Sequence, residues 1–329
     1  MNPHQKKDYL IRKIQPYDAK KVKNISNFLT ALKKCSFQGR NLGIALDILE
    51  KMVSDNNILT VLTLSGAMVP AGMGDLICVL IEEQLIDVII TTGANIAHDL
   101  VDVFSNIGHY IGSSKVPDDE LFKLRINRIY DTYLPEENYE IAEKKLLEII
   151  KEIFEKKEVF ITPSDLLHKV GEKINNRSIL STAAKHNVPL FVPAFSDSEF
   201  ALNLIKYGVG EGYDFQFDIL GDVKKFANII KKAKECGTII IGGGVPRNWA
   251  QQVFPLLDQL EKIDTMGYAY SIRIHTALEY DGGLSGCTVS ESKSWGKYSL
   301  DAKYVSVWCD ATIALPLLIT GLLQRLKIQ

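Results

Sequence analysis

The chain has 329 residues, 46% hydrophobic and 24% charged, which excludes disordered and collagen-like classes. Lys and Arg number 38 against 40 Asp and Glu, a formal net charge of −2, so the basic field of a general nucleic-acid binder is absent. Five cysteines (Cys35, Cys78, Cys236, Cys287, Cys309) are widely spaced with no CxxC pair. They indicate neither a disulfide framework nor a metal site, and fit a reducing, cytoplasmic compartment.

The opening MNPHQKKDYL has no apolar core and does not read as a signal peptide. Residues 1–34 read as a Lys-rich arm with a leading helix, and residues 35–329 as a single domain. Ile58–Leu64 is a strand candidate and the segment after Gly74 a helix. Ile86–Thr92 is a short apolar strand, Glu136–Lys157 a long amphipathic helix, and Pro189–Pro193 another buried strand. Asp222–Glu235 reads as a helix, Thr238–Ile241 as a strand, and Tyr268–Ile274 and Tyr304–Cys309 complete the set. The apolar runs Ile58–Ile81 and Ala311–Leu323 contain Pro70, Asp75 and Pro316, and read as core, not membrane spans. Apolar strands alternating with helices predict an α/β fold: one doubly wound, mainly parallel, Rossmann-like sheet with helices on both faces.

Ligands of such sheets bind beyond the carboxyl ends of the strands. The residues expected there are small: Ser65-Gly66-Ala67, Thr92-Gly93-Ala94-Asn95, Ser196-Asp197, Gly242-Gly243-Gly244, Thr276-Ala277 and Asp310-Ala311-Thr312. Such turns let backbone N–H groups approach a phosphate or ribose, and together they indicate a nucleotide crevice. Gly208–Gly212 follows a helical segment and lacks the GxGxxG spacing. No Walker A motif is present, which disfavours ATP-dependent phosphoryl transfer.

The densest segment is EYDGGLSGCTVSESKSWGK, residues 279–297. A Trp beside a Lys can bury the lysine stem and favour the neutral, nucleophilic amine, while the indole face can meet a ligand cation. Asp281 and Glu291 can pair with an amine. The run Ser294-Trp295-Gly296-Lys297, followed by Asp310-Ala311 and Pro316-Leu317-Leu318, resembles the deoxyhypusine synthase family. So do Gly242–Val245, Thr276-Ala277 with Glu279–Gly282, Asn127-Arg128-Ile129, Glu137-Asn138-Tyr139 and Ile161–Ser164, in order from about Tyr17 to Leu323.

That resemblance implies NAD-dependent oxidation of spermidine, passage of its aminobutyl group to Lys297 as an imine, and transfer to an acceptor amine. The acceptor in such enzymes is a translation-factor lysine or, in homospermidine synthases, putrescine. By motif, the NAD contacts fall on Ser65, Gly66, Ala67, Thr92, Gly93, Ala94, Asp197, Gly243, Thr276, Ala277, Asp281 and Asp310, and the amine contacts on Glu291 and Trp295. The resemblance also implies a homotetramer of paired protomers.

The departures shape the expected substrate. His98 stands where the family has a cofactor-binding glutamate, and Asn248 where it has a histidine; an amide cannot shuttle a proton. Leu202 and Leu284 replace two acids that would hold cationic ends of spermidine. The pattern is most like the bacterial, homospermidine-synthase-like branch, so a small diamine is the expected acceptor. The alternatives are a genuine deoxyhypusine synthase and a catalytically silent NAD-binding oligomer. An NAD-dependent deacylase would need a catalytic His and often a four-cysteine zinc module. His98 or His275 is the expected general base, while His109, His168 and His186 read as structural.

Overall fold

The structure, a computed structural model, describes residues 10–261 and 267–328; Lys6 and Lys7 of the arm lie outside that range. After a single 3-10 turn at Ala19–Lys21 come two α-helices, α1 (Ile25–Leu32) and α2 (Phe37–Ser54). Asn24 caps α1 by accepting from Asn27 N–H. The helix docks Leu29, fully buried, against α2 and the C-terminal helix, so this part of the Lys-rich stretch packs into the core. Gly43 permits that docking, because a Cβ there would meet the Leu29 carbonyl at 2.5 Å.

The chain then alternates strand and helix: β1 (Ile58–Leu64), α3 (Gly74–Glu82), β2 (Val88–Thr91) and α4 (Gly93–Phe104). A peripheral section follows: β3 (Tyr110–Ile111), α5 (Asp118–Lys123), β4 (Ile126–Ile129), β5 (Thr132–Pro135), α6 (Glu137–Ile153), β6 (Glu158–Ile161), α7 (Pro163–Lys173) and α8 (Ile179–Lys185). The second half holds β7 (Leu190–Phe191), α9 (Glu199–Glu211), β8 (Asp214–Phe217), α10 (Ile219–Lys232), β9 (Glu235–Ile241), α11 (Gly244–Glu261), β10 (Tyr268–His275), α12 (Val289–Lys293), β11 (Tyr298–Trp308) and α13 (Ala311–Leu326).

Six strands form one parallel sheet in the order β11-β10-β9-β1-β2-β7. This is the doubly wound arrangement expected from the apolar strands. Both faces are covered: Leu62, Leu64, Ile89, Ile239 and Ile241 join the core that includes α2 and α13, while Val61, Val88, Ile90 and Cys236 face α10 and α11. Each fully buried leucine or isoleucine contributes roughly 1.5–3 kcal/mol relative to exposure. Two small sheets add to the main one: an antiparallel set β3-β5-β4 and a parallel pair β6-β8. The glycine-rich run at 208–212 ends α9, with Gly212 closing the helix at φ +77°. All five cysteines are free. Among the described residues no helix is long and apolar enough to cross a membrane.

Candidate active site

The sheet order reverses between β1 and β9, the place where an open α/β sheet leaves a crevice. The turns leaving these strands are tied together: Ser65 N–H donates to Ile241 O at 3.1 Å, and Ser65 Oγ to Gly243 O at 2.5 Å. Gly66 (φ +80°) and Gly242 (φ +77°) take left-handed conformations that side chains disfavour. Above them lies a cleft of about 890 Å³. Of the residues expected to contact a dinucleotide, Ser65, Gly66, Ala67, Gly243, Thr276, Ala277 and Asp310 line it.

The lining fits NAD on its own terms. A Cβ at Gly243 would sit 3.2 Å from Arg273 Nη2 and 3.3 Å from Ser285 O, so glycine keeps the cradle open. The amino end of α13 opens into the cleft through Ala311 and Thr312, which suits an anion. Asp310 caps that helix, accepting from Thr312 N–H at 2.8 Å and Thr312 Oγ1 at 2.6 Å, and these bonds hold its carboxyl below the usual range. An ionised carboxylate at a strand end suits ribose hydroxyls. His275 also lines the cleft, with a buried Nδ1 that has no hydrogen-bond partner. Burial first, then the charges of Arg273 and Arg247, push His275 down to about 4, so it is neutral near pH 7.

Thr92, Gly93, Ala94, Asp197 and Asp281 stand outside that lining. Gly93 is needed for packing, since a Cβ there would lie 2.3 Å from Ser198 Cβ. Asn95, next in that turn, donates to Thr91 Oγ1 and Thr92 Oγ1 and accepts from Val69 N–H, so the turn after β2 braces the turn after β1. Asp281 accepts from Gly283 N–H at 3.1 Å and shapes its own turn, in which Tyr280 and Leu284 take positive φ.

Lys297, immediately before β11, lies beside a different set of groups. Its Nζ donates to Asn248 Oδ1 at 3.1 Å and stands 5.9 Å from the centre of the Trp295 ring. Burial first, then the Arg247 guanidinium, push the Lys297 ammonium below its ordinary range. Glu291 opens the short helix α12, where Thr288 Oγ1 accepts its N–H. Lys297 does not line the cleft, whereas Ser285 does, and Arg247 and Arg273 grip the Leu284, Ser285 and Cys287 carbonyls of its turn. Trp295 is 65% exposed, and Leu202 (50%) and Leu284 (63%) are also open.

Of the two histidines expected as general base, His275 lines the cleft. His98 is buried and does not line the cleft, whereas His109, expected to be structural, does. His109 Nδ1 lies 2.6 Å from Asp102 Oδ1, and His109 Nε2 lies 3.0 Å from His98 Nδ1. Donation to the carboxylate leaves Nε2 to accept from His98. Burial first, then His109, pushes His98 down to about 4. Sequence reasoning missed Asp102, His109, Arg247 and Arg273, because their roles depend on contacts between separate elements and no local motif marks them.

A family model described as deoxyhypusine synthase matches residues 27–322. The chain is 35% identical over 315 residues to "Probable deoxyhypusine synthase 2" of Methanosarcina acetivorans, covering 94% of this chain and 89% of that protein. It is 39% identical over 297 residues to the protein of the same name from Archaeoglobus fulgidus, covering 89% and 96%. The crystal structure of "a putative deoxyhypusine synthase from Entamoeba histolytica" superposes with a TM-score of 0.64 at 21% identity, over 94% of this chain and 96% of that one, a likeness of fold.

Proposed function

We propose a specific reaction from one premise: the chain belongs to the deoxyhypusine synthase family. It is thereby an NAD-dependent transferase that takes an aminobutyl group from spermidine. The finer reading assigns the steps to residues. Lys297 is the nucleophile, and its contact with Asn248 and Trp295, together with its lowered affinity for a proton, is the observation that carries this assignment. Ser65, Gly66, Ala67, Gly243, Thr276, Ala277 and Asp310 would hold the dinucleotide. When bound, NAD accepts a hydride from the carbon beside the secondary amine of spermidine and later returns it.

The chain's own groups do the rest. Neutral Lys297 attacks the substrate imine carbon, diaminopropane leaves, and the aminobutyl group stays on the lysine as a new imine. Asn248 orients Nζ without taking its proton. Trp295 offers a π face to the cationic amine. Glu291 is the acid assigned to the amine. Residues 35–329, with α1 docked on them, form the catalytic domain. The exposed Trp295, Leu202 and Leu284 support a site covered by a second protomer within a homotetramer in the cytoplasm.

The acceptor in this reading is a small diamine, because leucine occupies positions 202 and 284 where acids would grip a polyamine. The names of the archaeal relatives favour the second reading, a deoxyhypusine synthase whose acceptor is a translation-factor lysine. Incubation with NAD, labelled spermidine, and either putrescine or the hypusine-bearing factor precursor separates the two by mass spectrometry. Labelled homospermidine supports the first reading, and labelled factor with inert putrescine supports the second.

A further inference from the structure

Buried polar atoms are ordinarily paired, because one left without a partner loses its hydration and gains nothing in exchange. Among the described residues five buried side-chain atoms lack a partner: Thr63 Oγ1, Asn203 Oδ1, Thr238 Oγ1, Arg247 Nε and His275 Nδ1. Of these residues only His275 lines the cleft. It closes β10 and is 6% exposed. On one side, Gly242 N–H donates to Ile274 O at 2.8 Å, which ties this strand end to the Gly242-Gly243 turn. On the other, His275 pairs with Trp308 in the β10–β11 register, and the two rings meet edge to face with centres 5.9 Å apart. Trp308 is itself held, its backbone N–H donating to Gln38 Oε1 at 2.8 Å. Packing therefore fixes the imidazole, while its Nδ1 meets neither water nor a protein partner.

We propose that His275 Nδ1 is a hydrogen-bonding contact of the bound dinucleotide, and that its partner arrives with the ligand. The proposal rests on the reading of the cleft as the NAD site. Thr276 and Ala277, which follow His275 in the chain, line the same cleft beside the Gly243 cradle. A ring already ordered by Trp308 loses little freedom when the ligand enters. Near pH 7 the imidazole is uncharged, and a neutral ring presents Nδ1 as an acceptor or as an N–H donor according to its tautomer. The ribose hydroxyls and the amide of a dinucleotide can meet either form. An apolar ring at this position would leave the ligand's polar group unpaired, the situation in which buried polar recognition discriminates most strongly.

The test compares the full-length wild type, His275→Phe and His275→Asn, each freed of dinucleotide. Equilibrium dialysis reads NAD binding, and thermal unfolding is followed with and without NAD. Phenylalanine keeps a ring and removes both nitrogens, whereas asparagine returns a polar atom close to the place of Nδ1. His275→Phe should bind NAD about tenfold more weakly than the wild type, and His275→Asn should recover most of that affinity. Without NAD, His275→Phe should unfold at or above the wild-type midpoint, because it removes an unpaired buried group. With NAD, its midpoint should rise less than that of the wild type. Equal NAD affinity in the wild type and His275→Phe would overturn the proposal. So would a lower midpoint for unliganded His275→Phe, which marks a purely structural histidine. Undiminished NAD binding by Gly243→Val overturns the cleft assignment itself, so the two failures are distinguishable.

Discussion

Lys297 Nζ donates to Asn248 Oδ1 at 3.1 Å, so the proposed nucleophile rests on a neutral amide and not on a carboxylate. An amide orients the amine in either protonation state, whereas a carboxylate would hold it as the ammonium. Asn248→Asp is therefore expected to lower transfer at neutral pH by about 10- to 100-fold, with recovery at alkaline pH. Asn248→Ala should cost less and leave the pH optimum in place. A pH–rate profile of the three proteins checks this, and an unchanged profile for Asn248→Asp contradicts it.

The cleft makes a second demand. A valine at Gly243 would press on Arg273 Nη2 and Ser285 O, which already stand at 3.2 and 3.3 Å from an ideal Cβ. Overpacking of this kind costs about 1–3 kcal/mol. Gly243→Val should weaken NAD binding by about tenfold or more, which equilibrium dialysis reads directly. Undiminished affinity would place the dinucleotide elsewhere.

Acid stability follows from two histidines. His98 and His275 are both pushed down to about 4 from the ordinary 6.5, by burial first. As pH falls through that window, the unfolded chain takes up protons before the folded one. The stability present above 6.5 is thus lost progressively toward 4, on the order of 1–2 kcal/mol per histidine. Thermal midpoints measured between neutral and mildly acidic pH should fall for the wild type. The fall should be smaller in a His98→Gln, His275→Asn double variant, and an equal fall in both argues against buried neutral histidines.

The main sheet was legible from sequence because its strands are buried on both faces and read as apolar runs. Ile58–Leu64 is observed with the predicted bounds; β10 (Tyr268–His275) nearly matches, while β9 (Glu235–Ile241) starts three residues earlier than expected, where a helix end was read, and β11 (Tyr298–Trp308) starts six residues earlier and ends one residue sooner than expected. The small sheets were not legible. Tyr110 and Ile111 are exposed on a two-residue strand, so neither length nor alternation marks them. The cofactor turns were partly legible: small residues follow β1, β2 and β9 alike, but the switch point between β1 and β9 appears only with the strand order. His109 escaped because its partners, Asp102 and His98, meet it only through the turn after α4.

The polyamine pocket can be tested by restoring charge. Leu202 and Leu284 are open to approach, at 50% and 63% exposure, so an aspartate at either position would not be buried unpaired. Leu202→Asp with Leu284→Asp should lower the KM for spermidine by about tenfold, a gain expected of a partly exposed charge pair at a binding site. Steady-state kinetics with spermidine and putrescine reads this, and a raised KM would mean that these side chains do not face the amine.

The central claim is that the aminobutyl group passes through Lys297. Wild-type protein incubated with NAD and spermidine, then reduced with borohydride, should gain an aminobutyl mass on the peptide that contains Lys297. Lys297→Arg, permanently protonated, should bind NAD normally, gain no such mass and transfer at least about 1,000-fold more slowly. A trapped adduct on a different lysine, or near wild-type transfer by Lys297→Arg, would contradict the account.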